Sequence, residues 1–258
     1  MKTEYIKSHY YRLKEGLTEL AEFLHLNPKK VWLQFEAMAK ANPNSFIKYI
    51  SWADDEWKKN VTNPVDKKQV LNYWKKTESH LYILTEVNHT KPQRALAKLI
   101  IRLAKKSGCK SILDFGCGVG DNCLDYQKAG LQTIGLEVKG QSFNFAAWRF
   151  KKRKLKIPLY NSIEKIKRVD CISCIEVFQH LSDPINMAKK MLKILPPRGQ
   201  LFTTFRFANN YQPALRQHIS LEKSFLKKLQ KIGFEYVGRH YLWGKSGHEK
   251  FLYVLKKK

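Results

Sequence analysis

The feature that most constrains the fold is a short apolar run followed at once by three glycines, in the segment Ser111-Ile-Leu-Asp-Phe-Gly-Cys-Gly-Val-Gly-Asp121. The apolar run predicts a buried strand. Glycine tolerates positive φ angles and has no side chain, so the cluster predicts a tight turn at which the backbone approaches a ligand closely. A helix from about residue 122 to residue 129 follows. Strand, glycine turn and helix N-terminus together are typical of nucleotide-binding units in open α/β sheets.

Length and composition allow one complete α/β core and an additional segment. The chain has 258 residues, of which 43% are apolar. The first residues contain no apolar stretch typical of a signal peptide, and nowhere do about 18 apolar residues follow one another, as a membrane-spanning helix requires. We therefore expect no membrane span and a cytoplasmic location.

The five cysteines do not predict a metal site. Cys171 and Cys174 have the spacing of a CxxC pair, but they fall in an apolar run that reads as a strand. Residues three apart on a strand point to opposite faces of the sheet. We therefore expect buried core thiols and no bound metal.

The net charge of +26 makes nucleic acid a candidate partner, although not the favoured one. Only ten of the 48 basic residues are arginine, and the lysines are spread over every predicted helix. The run Lys151-Lys152-Arg153-Lys154, with Lys156, is concentrated enough to form a patch. Solvated helix faces explain the remaining charge equally well.

The first hundred residues read as helical and the remainder as alternating strands and helices. Within the helical part, one helix is predicted from about Lys67 to Val87. After the glycine turn, a second strand ends at Glu137, 21 residues beyond Gly116, where an acidic side chain typically binds ribose hydroxyls. The last connection is too short for a crossover helix, so the final strand must be antiparallel. The predicted strands after the first cover residues 133–137, 156–160, 170–177, 200–207, 235–243 and 250–255.

The glycine pattern does not fit a dinucleotide fold, because the third glycine of G-x-G-x-x-G would stand at position 121, which is Asp. The pattern from Asp114 to Gly120 instead resembles the D/E-x-G-x-G-x-G motif of class I S-adenosylmethionine-dependent methyltransferases. The resemblance extends over residues 110–258. The run from Ile175 to Pro184 is similar to the E-V-x-x-H-x-x-D-P signature of the branch that methylates small molecules, quinone precursors and lipids.

The resemblance implies a Rossmann-like seven-stranded sheet with an antiparallel last strand. We divide the chain into three segments. A helical N-terminal region over residues 1–65 ends at a predicted loop that holds Asn63-Pro64 and no periodic pattern. Helices over residues 66–109 lead into the cofactor site and, as the resemblance implies, cover it, and residues 110–258 form the S-adenosylmethionine-binding domain. Residues 1–109 contain no further motif.

The resemblance also implies the cofactor contacts. The glycine turn would bind the methionine portion, with Asp114 organising the turn and the cofactor amine. Glu137 would bind the ribose, Val138 would lie against the adenine, and Asn161 and Ser162 would contact the base, although the family commonly has Asp where this chain has Asn161. Ile175 and Glu176 would lie beside the sulfonium. The turn itself contributes Gly116, Cys117, Gly118 and Gly120.

A sulfonium methyl group is already activated, so the protein mainly has to align the acceptor and exclude water. His180 is the candidate general base, because histidine titrates near neutral pH and this one follows the fourth strand. A packed histidine at a helix start is the alternative. Arg206, Asn209 and Tyr211 occupy the segment at the end of the fifth strand, where substrates enter such folds. Arg206 suits an acidic group, and an exposed residue at the end of the strand is the equal alternative. The expected substrate is a small or lipid-like molecule, with acidic molecules among the candidates.

Two other functions stay open. An RNA methyltransferase would explain the basic charge, although the chain lacks the Asn/Asp-Pro-Pro-Tyr/Phe motif of enzymes that act on exocyclic amines. A cofactor-binding interaction protein without activity would keep the glycine motif. Aminopropyl transferases share the fold but favour a different glycine loop. The oligomeric state and the acceptor atom are not encoded in these motifs.

Overall fold

The computed structural model describes residues 2–41, 46–63, 66–204, 224–243 and 250–258. The chain forms two compact units. The helical unit comprises residues 1–94, 118–121 and 139–156, and the sheet unit comprises residues 95–117, 122–138 and 157–258. The glycine turn is therefore divided, with Gly116 and Cys117 in the sheet unit and residues 118–121 in the helical unit. The functional roles expected for the three sequence segments stay predictions.

The sheet unit contains a seven-stranded sheet with the order β3-β2-β1-β4-β5-β7-β6. The first five strands in chain order are parallel, and β7 pairs antiparallel to both β5 and β6. This confirms the predicted α/β fold and its antiparallel last strand. The strands are β1 (Ser111–Phe115), β2 (Gln132–Leu136), β3 (Leu159–Tyr160), β4 (Cys171–Ile175), β5 (Gln200–Thr204), β6 (Phe234–Trp243) and β7 (Lys250–Lys257).

Apolar side chains cover both faces of this sheet, as a parallel sheet requires. One face packs against helices α9 (Pro184–Ile194) and α10 (Phe225–Lys231). The opposite face packs against α6 (Lys91–Lys106) and α7 (Asp121–Lys128). Cys171 lies in the second of these cores and Cys174 in the first, both without exposed surface. The prediction that these two thiols point to opposite faces is confirmed.

The sheet differs from the sequence prediction at β3, which has two residues where five were predicted. Pro158 explains the late start, because proline cannot donate a hydrogen bond to a neighbouring strand. β3 is an edge strand, as its proline indicates. Asp170 connects the starts of β4 and β1. Its carboxylate accepts hydrogen bonds from the backbone N–H groups of Lys110 and Ser111, each at 2.9 Å.

The helical unit contains α1 (Lys2–Phe23), α2 (Pro28–Ala41), α3 (Phe46–Asn60), α4 (Lys67–Lys76), α5 (Ser79–Val87) and α8 (Gln141–Lys152). Its apolar contacts include a cluster of Leu20, Leu81, Val119 and Phe145. Among the helices that the structure describes, none is both long enough and apolar enough to cross a membrane.

The single helix predicted from Lys67 to Val87 is wrong, because the chain breaks at Thr77 and Glu78 to give α4 and α5. Glu56 of α3 explains the break. Its carboxylate accepts hydrogen bonds from the Thr77 and Ser79 hydroxyls at 2.6 Å and from the backbone N–H of Glu78 at 3.1 Å. A negative charge at the start of α5 also favours the helix dipole. Glu56 lies more than twenty residues before the break, so the periodicity of the local sequence does not predict where α4 ends and α5 begins.

Gly140 allows close contact between the start of α8 and the end of α4. A Cβ atom at Gly140 would lie 2.4 Å from the backbone oxygen of Lys75, and this backbone atom cannot move aside as the end of a flexible side chain can. We expect Gly140→Ala to lower the free energy of unfolding by about 1–3 kcal/mol. Urea unfolding followed by tryptophan fluorescence measures this change, because five of the six tryptophans lie in the helical unit.

Gly238→Ala is the matched control, since a Cβ atom there meets no atom within 4 Å. We expect its effect to stay within about 0.5 kcal/mol. Equal stability of the two variants would contradict the close contact at Gly140.

Candidate functional site

The first half of the glycine turn is hydrogen-bonded to the end of the neighbouring strand. The backbone N–H groups of Gly116 and Cys117 both donate to the carbonyl oxygen of Leu136, at 2.8 and 3.0 Å. Gly116 has a φ angle of +71°, and a Cβ atom there would lie 2.5 Å from a methyl group of Val177. Glycine is therefore required at this position on both conformational and steric grounds.

Glu137 follows directly after the carbonyl that accepts these two bonds. Its backbone N–H donates to the carbonyl of Tyr160 at 3.0 Å, and its Oε1 accepts the backbone N–H of Val138 at 2.8 Å. Glu137 and Val138 are both half-buried. A carboxylate has about four lone-pair positions, so it can accept several donors at once, and hydroxyl groups of a ligand are suitable donors. The structure thus places Gly116, Cys117, Glu137 and Val138 together at the carboxyl ends of β1 and β2.

Asp114 lies beneath this turn and is 2% exposed. The Cys123 thiol donates to its Oδ2 at 3.5 Å. A hydrogen bond with Cys123 lowers the pKa of Cys117. Burial and the nearby carboxylates of Glu137 and Asp114 together raise it by more, so the pKa lies above its ordinary value. The Cys117 thiol is therefore protonated at physiological pH, whereas a reactive cysteine has a lowered pKa.

The second half of the glycine turn belongs to the helical unit. Gly118 and Gly120 have φ angles of +54° and +85°. A Cβ atom at Gly118 would lie 2.8 Å from Leu84 Cδ1, and one at Gly120 would lie 2.8 Å from the ring of Phe150. All three glycines of the turn therefore adopt backbone conformations that other residues rarely tolerate.

Glu176 follows β4 with a φ angle of +57°, which is unusual for a residue with a side chain. Three groups hold its carboxylate: the Thr204 hydroxyl at 2.8 Å, the Lys250 ammonium at 3.2 Å and the Gln179 amide at 3.3 Å. The Thr204 hydroxyl also accepts the backbone N–H of Glu176 at 3.0 Å. Backbone strain of this kind concentrates at functional sites. It persists here because side chains from β5 and β7 fix the conformation.

The sequence did not indicate Thr204 and Lys250 as neighbours of the site. Thr204 is the last residue of β5, and Lys250 is the first residue of β7 and is 8% exposed. Because β7 is antiparallel, its first residue lies at the edge where the parallel strands end. The predicted antiparallel direction of β7 was enough to place its first residue at this edge. Nothing in the sequence, however, distinguishes Lys250 from the many other lysines.

The other candidate residues have less distinctive surroundings. His180 is half-buried and ends a short 3-10 turn (Phe178–His180), with its backbone N–H donating to Val177 at 2.8 Å. Asn161 is exposed and accepts a hydrogen bond from the Lys165 ammonium at 3.1 Å, while the Ser162 hydroxyl donates to Glu164. Ile175 is the last residue of β4. Arg206, Asn209 and Tyr211 lie outside the described residues.

The basic run that begins in the last turn of α8 is partly neutralised within the helical unit. Lys152 forms an ion pair with Glu22, and Arg153 forms ion pairs with Glu15 at 3.1 Å and with Glu19 at 2.8 Å. Two of the five cations in this run are therefore engaged by carboxylates of α1. The described residues contain no group of three or more His, Cys, Asp or Glu side chains arranged to bind a metal ion.

Comparison with known proteins identifies similar sequences. A family described as "Methyltransferase domain" matches residues 88–238. The ubiquinone biosynthesis O-methyltransferase of Acinetobacter baylyi is 25% identical over 150 residues, which cover 55% of this chain and 57% of that protein. The enzyme of the same name from Aliivibrio fischeri is 26% identical over 99 residues, covering 36% and 42%. The chain thus spans about half the length of the curated relatives it matches.

Comparison with solved structures identifies similar folds. The N-methyltransferase NodS from Bradyrhizobium japonicum, in complex with S-adenosyl-L-homocysteine, superposes with a TM-score of 0.55 at 17% identity and covers 80% of this chain and 98% of that chain. The magnesium protoporphyrin IX methyltransferase ChlM from Synechocystis, with bound SAM, superposes with a TM-score of 0.52 at 13% identity and covers 81% and 97%.

The Thr204 hydroxyl is central to the conformation of Glu176, because it both donates to the carboxylate and accepts from the backbone. We expect Thr204→Val to lower the free energy of unfolding by about 1–3 kcal/mol, since it removes the two hydrogen bonds that the hydroxyl makes with the carboxylate and the backbone N–H of Glu176. Thr204→Ser keeps the hydroxyl and serves as the control. Urea unfolding of both variants checks this, and a valine variant as stable as the serine variant would refute the assigned role of the hydroxyl.

Proposed function

The chain belongs to the methyltransferase-domain family, and on that premise we propose that it is an S-adenosylmethionine-dependent enzyme that methylates a small molecule. The family match covers more than half of the chain, and the structural neighbours have the same α/β fold. The observation that supports the cofactor most directly is the pair of hydrogen bonds from Gly116 and Cys117 to the Leu136 carbonyl. These bonds bring a glycine turn and an acidic side chain to adjoining positions.

The residues present fit this cofactor. The positive φ angle at Gly116 lets the chain turn sharply at the end of β1, where the half-buried backbone would contact the amino-acid portion of the ligand. Glu137 would accept both ribose hydroxyls, and Val138 would provide an apolar contact for the adenine. Asp114 is buried behind the turn and would fix its conformation. Ile175 and Glu176 would border the sulfonium end.

The two side chains expected to contact the adenine, those of Asn161 and Ser162, already have hydrogen-bond partners within the protein. Asn161 would have to release Lys165 before its amide oxygen could accept a hydrogen bond from the adenine amino group. Ser162 would similarly have to release Glu164. Both residues remain candidates because they follow β3 directly, where the adenine would lie beyond Glu137.

The cofactor, when bound, supplies an activated methyl group on a positively charged sulfur. The chain then has to hold an acceptor in line with the transferred methyl group and keep water out. We assign the removal of the acceptor proton to His180, which ends the turn after β4. The names of the sequence relatives make a hydroxyl the first acceptor to test. An amine is the second, in view of the NodS fold.

Isothermal titration calorimetry with S-adenosylhomocysteine tests the cofactor site. We expect the unaltered protein to bind and Glu137→Gln to raise the Kd by about tenfold or more, since hydrogen bonds to a charged group contribute about 1.5–3 kcal/mol. Glu235→Gln is the matched control, because Glu235 is an exposed carboxylate of the same unit that pairs only at the surface with Lys256. Absence of binding by the unaltered protein would disprove the proposed function.

Transfer of a labelled methyl group from S-adenosylmethionine tests the acceptor class and the role of His180. We expect label in the small-molecule fraction of a cell extract and not in RNA. A positioned base contributes about 10²–10⁴-fold to a rate, so His180→Gln should slow transfer by at least about 100-fold. Affinity for S-adenosylhomocysteine should stay within about twofold, since a base acts on the acceptor. Labelled RNA would favour the alternative function, and unchanged transfer by the variant would exclude His180 as the base.

A further inference from the structure

Arg149 of α8 is a buried charge with three fixed partners in the helical unit. Its side chain is 1% exposed. The guanidinium donates from Nη1 to the carbonyl of Val119 at 2.7 Å, from Nη2 to Oδ1 of Asp121 at 2.9 Å, and from Nε to Oε2 of Glu19 at 2.9 Å. Val119 and Asp121 are the residues on either side of Gly120. One side chain therefore holds the second half of the glycine turn at two points.

Asp121 receives further support from the segment after α5. The Asn88 amide donates to its Oδ2 at 3.3 Å, and the His89 ring nitrogen Nε2 lies 3.8 Å from its Oδ1. Burial raises the pKa of Asp121, but the Arg149 guanidinium and the His89 ring lower it more, so the net pKa lies below its ordinary value. The carboxylate stays ionised, and its charge compensates the buried Arg149.

Glu19 extends this cluster to the N-terminal helix. Glu19 lies on α1 and is 4% exposed. Its Oε2 accepts from Arg149 and its Oε1 accepts from Arg153 Nε at 2.8 Å. Removing Glu19 would leave one face of a buried guanidinium without an acceptor, which is costly in a low-dielectric interior. The position of Arg149, and hence of the turn it holds, depends on Glu19, which lies 130 positions before Arg149 in the chain.

We propose that Arg149 is a positioning residue for cofactor binding and that Glu19 completes its site, so that affinity for the cofactor depends on the docking of α1. This inference rests on the proposed function, because it assigns the turn at residues 118–121 to the bound cofactor. Gly118 and Gly120 are already packed closely against Leu84 and Phe150. Arg149 adds the polar restraint on the two residues that flank Gly120.

The planar guanidinium group makes Arg149 suitable for positioning the turn at residues 118–121. Its donors diverge in one plane, so a backbone carbonyl and two carboxylates can be held at once. A lysine at position 149 would keep the charge but lose this fixed fork. An arginine that served only to neutralise Asp121 and Glu19 would be replaceable by lysine, whereas an arginine that positions the turn would not.

The test compares Arg149→Lys, Glu19→Gln and a control at the same pair of helices. Lys152→Gln removes an exposed ion pair with Glu22, which also connects α8 to α1, and it leaves the buried cluster intact. Each variant is titrated calorimetrically with S-adenosylhomocysteine. Hydrogen exchange of the backbone amides of residues 118–121 is measured in the ligand-free protein, together with the melting temperature.

We expect Arg149→Lys to raise the Kd by about tenfold, the size of one charge-assisted hydrogen bond, and to speed exchange of the turn amides. Glu19→Gln should raise the Kd by about fivefold, because it weakens one partner of Arg149 and leaves the turn itself unaltered. The Lys152→Gln control should bind within about twofold of the unaltered protein. If Arg149→Lys does not fold, the affinity of Glu19→Gln alone decides whether the cluster positions the turn or is a purely structural ion cluster.

The outcomes separate this inference from the proposed function. If the unaltered protein does not bind S-adenosylhomocysteine, the proposed function fails. If it binds and both cluster variants bind equally well, with unchanged exchange of residues 118–121, Arg149 has no positioning role. Lower melting temperature with unchanged affinity and exchange would likewise overturn the inference, because it would show a purely structural ion cluster.

Discussion

The structure of the candidate site depends on one carbonyl oxygen, that of Leu136, which accepts the backbone N–H groups of both Gly116 and Cys117. A turn that leaves β1 would otherwise expose these two donors at the end of a buried strand, where an unpaired N–H is costly. The same bonds set the position of Glu137, because it is the next residue along β2. A requirement of backbone hydrogen bonding thus brings the glycine turn and an acidic side chain to adjoining positions.

Buried charges fix the conformations around this turn within each unit. In the sheet unit, Lys250 and Thr204 hold the strained backbone of Glu176. In the helical unit, Arg149 binds the carbonyl of Val119 and the carboxylates of Asp121 and Glu19. Buried ion clusters contribute little net stability when compared with apolar packing, but they are specific in geometry. Each cluster therefore fixes the conformation of a segment within its own unit.

Sequence reasoning was sufficient for the seven strands of the sheet, apart from the length of β3, and for the residues at the ends of its first two strands. The glycines, the apolar run before them and the acid at position 137 are local patterns, and the short last connection fixed the direction of β7. The match to a methyltransferase family confirms the resemblance that these motifs suggested. The helix break at Thr77 was missed because its cause, Glu56, lies some twenty residues away. Lys250, Thr204 and Arg149 were missed for the same reason, since each acts through partners that only the folded chain brings near.

The central claim is that the carboxylate beside the Leu136 carbonyl binds the sugar of a sulfonium cofactor. A crystal structure of the protein with S-adenosylhomocysteine measures this directly. The account predicts that both ribose hydroxyls lie within about 2.6–3.2 Å of the Glu137 carboxylate oxygens, with the amino-acid portion against the glycine turn. A ligand bound elsewhere, or a ribose that does not contact Glu137, would contradict it.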